Sequence, residues 1–116
     1  MSKWLEVHQK ACQAIIDGCD SQIKAGNYVE HMEACRDMWA WLLDNPGRSK
    51  SSFPVGDRGA LFGVSQCAAC TACKIFCHEC PLKEVWPHGS CFEDGSPYSL
   101  WQQARITLSW LYINNA

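Results

Sequence analysis

YVEHMEACRDMWAWLL, running from Tyr28 to Leu43, decides how this chain folds. Tyr28, Met32, Cys35, Trp39 and Leu42 recur at alternating spacings of four and three. That repeat lines apolar side chains along one stripe of a helix, so a helix is expected over 28–43. A second apolar line, Ala34, Met38 and Trp41, runs beside the first. A helix apolar on two sides is either sandwiched by neighbours or offers one side to a partner. Asp44-Asn45-Pro46-Gly47 ends it, because proline disfavours helical backbone in the residue before it.

The flanks repeat the pattern. Toward the N-terminus, Leu5, Cys12, Ile16, Cys19 and Ile23 predict a helix over 3–25, weakened at Gly18 and stopped at Ala25-Gly26-Asn27. Toward the C-terminus, Ser96 and Pro97 form an N-cap and first helical residue. Trp101, Ala104, Leu108 and Leu111 follow as the inner stripe of a helix over 97–113, with Ile106, Trp110 and Ile113 on a second line. No alternating strand pattern or internal repeat is present. The chain is therefore expected to be a mostly α, small three-helix domain, with a Cys-rich metal-binding loop between the second and last helices. Within a single domain, 1–44 form a helical hairpin, 45–66 a Gly/Ser/Pro-rich loop, 67–95 the metal knot and 96–116 the C-terminal helix. Cys12, Cys19 and Cys35 fall on apolar stripes, where free cysteine acts as a small hydrophobe.

Totals narrow the function classes. The 116 residues suit one core, and the net charge is −2. Only 45–66, with three basic and one acidic side chain, leans positive. A nucleic-acid footprint would gather basic residues on one face. MSKWLEVHQKACQ lacks the apolar segment of a secretory signal, and no apolar run reaches the ~20 residues of a membrane span. A cytoplasmic protein without membrane association is expected. In a reducing compartment, nine cysteines with CxxC spacings favour metal ligation over disulfides.

CAACTACKIFCHECPL, Cys67 to Leu82, holds five of those cysteines. Cys67-x2-Cys70 and Cys77-x2-Cys80 form two zinc knuckles, whose four thiolates close a tetrahedron around Zn²⁺. Cys73, Cys91 and His88 are substitutes. In the alternative, Cys67, Cys70, Cys73 and Cys77 follow the x2, x2, x3 spacing of a 4Fe-4S cluster. That string resembles bacterial ferredoxins, but proline follows Cys80 instead of Cys77, and no second motif is present. His31-x-Glu33 before Cys67-x2-Cys70 echoes zinc deaminases, yet Gln66 stands where their proline belongs. No catalytic constellation emerges, so no enzyme is expected.

Cys67, Cys70, Cys77, Cys80-Pro81-Leu82, Cys91, Pro97-Tyr98 and Trp101 together resemble a pattern of small phage and mobile-element proteins. The resemblance covers the last fifty or so residues and implies a structural metal knot beside a helix. It also implies an accessory role in host cytoplasm, modulating a host or defence protein. Met38, Trp41, Arg58, Phe62 and Trp110 are the candidate partner-binding residues, since tryptophan and methionine favour interfaces. Arg48, Lys50, Phe53, Arg58, Leu61 and Phe62 also mix charge and rings as single-stranded nucleic-acid binders do. Two alternatives to a protein-interaction module therefore stand: a nucleic-acid-binding zinc module, and an iron–sulfur electron-transfer protein.

Overall fold

The computed structural model describes residues 3–62, 68–69, 80–86, 91 and 94–114, with side chains to Trp110. Four α-helices are defined among them: α1 (Lys3–Ala25), α2 (Val29–Asp44), α3 (Gly59–Phe62) and α4 (Pro97–Asn114). Short 3-10 turns lie at Lys50–Ser52, Gly56–Arg58 and Lys83–Val85, and no strand occurs among the described residues.

Local chemistry sets the ends of these helices. Gly26 closes α1 with φ +81°, its N–H reaching the Ile23 carbonyl at 3.0 Å while that of Asn27 reaches Gln22 at 2.9 Å. This paired bond satisfies carbonyls that the helix end leaves over, and it needs the left-handed conformation that glycine adopts without strain. Ser96 caps α4, its Oγ accepting the Ser99 N–H at 3.1 Å. Its own hydroxyl donates to the Cys91 carbonyl at 2.6 Å.

α1 is the central element and packs against both α2 and α4. Cys12, Ile15 and Cys19 on α1, and Met32, Cys35 and Leu42 on α2, are all fully buried. Trp101 of α4 meets Trp39 of α2 edge-on, with ring centroids 4.8 Å apart. Such aromatic pairs add about 0.5–1.5 kcal/mol beyond the area they bury. Tyr28 departs from the stripe expected of it: it takes φ +50° just before α2 and is exposed.

In the segment expected to be an irregular loop, 45–66, the described residues to Phe62 carry three short helical pieces. It doubles back along α2, burying Phe53 and Phe62 in the core. Arg58 fastens it by a 2.8 Å ion pair to Asp37 of α2. Segments of three or four residues are too short to show helical periodicity, so the sequence pattern could not reveal them.

Candidate functional site

Two cysteines of the cluster, Cys80 and Cys91, lie among the described residues; Cys67, Cys70, Cys73, Cys77 and His88 lie outside them. Within the described residues no three His, Cys, Asp or Glu side chains come together as a metal site. What is visible is the immediate setting of Cys80. Its side chain is buried, and the Leu82 N–H donates to its Sγ at 3.4 Å. Pro81 has no N–H, so Leu82 carries the first donor after Cys80. Hydrogen bonds to the charged form of a group favour that form, and donors on sulfur tune metal–thiolate sites in this way. This one donor at Cys80 is compatible with a metal-bound thiolate and equally with a neutral thiol.

Cys12 is the contrasting case. It is fully buried, and burial pushes its thiol up to about 12. It lies 4.0 Å from Nε2 of His8, whose imidazole is itself held below its ordinary value by burial, against the opposing pull of the Leu43 and Leu42 carbonyls. His8 donates from Nε2 to the Leu43 carbonyl at 3.2 Å, while its buried Nδ1 meets no hydrogen-bond partner. This is a neutral pair joining α1 to the end of α2. A thiol held protonated is a poor nucleophile. Cys12, Cys19 and Cys35 are core side chains, as their stripe positions imply.

Cys80 is held in place through the residues that follow it. Leu82 and Trp86 are buried, and Val85 packs at the edge of the core. A Cβ placed on Gly18 of α1 would lie 2.5 Å from Val85 Cγ2 and 3.2 Å from Leu82 Cδ2. Gly18 is thus the notch in α1 that admits the segment after Cys80, which accounts for a glycine in mid-helix despite its poor propensity. Cys91 is bound in turn to the start of α4 through Ser96. The described residues 80–86 and 91 thus meet two different helices, α1 at Gly18 and the start of α4 at Ser96.

The candidate partner residues separate into two groups. Met38 and Phe62 are buried, at 1% and 3% exposure, so neither presents a surface to a partner. Trp41 is half-buried with its ring 5.8 Å from Phe53, and Arg58 is engaged by Asp37. Met38 and Trp41 lie on the side of α2 that the doubled-back segment approaches, and Phe62 and Arg58 belong to that segment. Trp110 differs: it is 63% exposed, with Ile106 at 55% and Leu100 at 37% on the same helix. Arg105 is the only charged residue of α4. Sequence reasoning missed His8 and Gly18. A histidine does not register on an apolar stripe, and a mid-helix glycine reads only as a weakness.

The fold is that of a mostly helical domain, in which the described residues after Cys80 rest on α1 and Cys91 bonds to the start of α4. Comparison with protein-family models, with curated proteins and with solved structures returned no match. Among the described residues no helix is long and apolar enough to cross a membrane.

Proposed function

We propose that the protein is a non-enzymatic, metal-stapled helical module that binds another protein. The observation carrying this reading is the hydrogen-bonded, buried sulfur of Cys80, whose flank is seated in the Gly18 notch. Zn²⁺ is the proposed cofactor, held by Cys67, Cys70, Cys77 and Cys80. It supplies folding energy to a stretch with no strong apolar stripe of its own. Four thiolates leave no open coordination position, so the site closes the chain and does no chemistry. The partner surface is the outer side of α4 around Leu100, Ile106 and Trp110, large apolar side chains at a helix with almost no charge. A host or defence protein as that partner rests on the resemblance to phage and mobile-element proteins alone. The nucleic-acid reading is weakened by Arg58, a principal cation of the basic segment, because Asp37 already pairs with it.

The test is metal analysis and absorption spectroscopy on protein purified without oxygen, with Cys80→Ser and Cys73→Ser alongside. One equivalent of zinc in a colourless protein is expected. Cys80→Ser should lose the metal and the cooperative thermal transition, while Cys73→Ser keeps both. A brown protein containing iron and sulfide would replace the zinc reading with the cluster. Equal tolerance of both substitutions would remove the two-knuckle ligand set.

A further inference from the structure

We draw no further inference here: the strongest candidate, the cavity between α2 and the doubled-back segment lined by Met38, Phe53, Val55 and Phe62, is half open to solvent, and nothing in the structure shows what would occupy it.

Discussion

The second apolar line of α2 and the second apolar line of α4 look alike in the sequence and meet opposite fates. On α2, Ala34 and Met38 are buried and Trp41 half-buried; the chain turns back and brings Phe53 against Trp41 and, with Phe62, beside Met38. On α4, Ile106 and Trp110 remain more than half exposed. Helical periodicity says which residues share a side, but not whether another segment arrives to cover it. The Arg58–Asp37 pair helps hold the cover on α2, although both side chains are partly exposed and the pair adds only about 0–1 kcal/mol. The rings of Phe53 and Phe62 contribute far more by burial.

Substitutions on the two lines should break or sharpen this contrast. Met38→Ala is expected to lower unfolding free energy by about 2–5 kcal/mol, since it empties a fully buried site. Trp110→Ala removes a larger but mostly exposed side chain and should cost less stability than Met38→Ala. Urea denaturation measures both, and comparable losses would mean that the outer side of α4 is packed as tightly as that of α2.

A smaller effect is expected where α1 receives the residues after Cys80. Gly18→Val forces a branched side chain against Val85 and Leu82 and should destabilise by about 1–3 kcal/mol. An unchanged melting temperature would show that this segment does not depend on the notch.

The most modest effect concerns His8, which joins α1 to α2 beneath the covered side. Its folded-state value lies below 6.5, so the unfolded chain takes up a proton that the folded chain refuses. The stability it permits is complete above pH 6.5 and declines as pH falls from there toward the lower folded value. Thiolate–metal ligation also weakens in acid, so the useful quantity is the difference between proteins. Wild type should lose stability between pH 7.5 and 5.5 more steeply than His8→Met. Parallel profiles would contradict a neutral, buried His8.

Much of the fold was legible because it is local. The stripes, the Gly26 stop, the Pro46 break and the Ser96 cap all act within a few residues, and the three long helices lie where these signals put them. Tyr28 shows the limit of that legibility: the four–three rhythm includes it, but the left-handed turn after Asn27 swings it outward. The candidate site was legible in part. Pro81 after Cys80 is a visible signal, whereas the donor from Leu82 and the notch at Gly18 depend on backbone from two distant places meeting.

The sequence by itself determined a mostly α chain, its helix ends and the ligand-rich spacing of its cysteines, since capping, periodicity and thiolate chemistry are properties of neighbouring residues. Only the tertiary structure decided which apolar lines are covered, why Cys12 stays a neutral thiol while Cys80 receives a donor, and that Met38 and Phe62 line a cavity. Those outcomes turn on burial and on contacts between residues far apart in the chain, and no short stretch of sequence contains them.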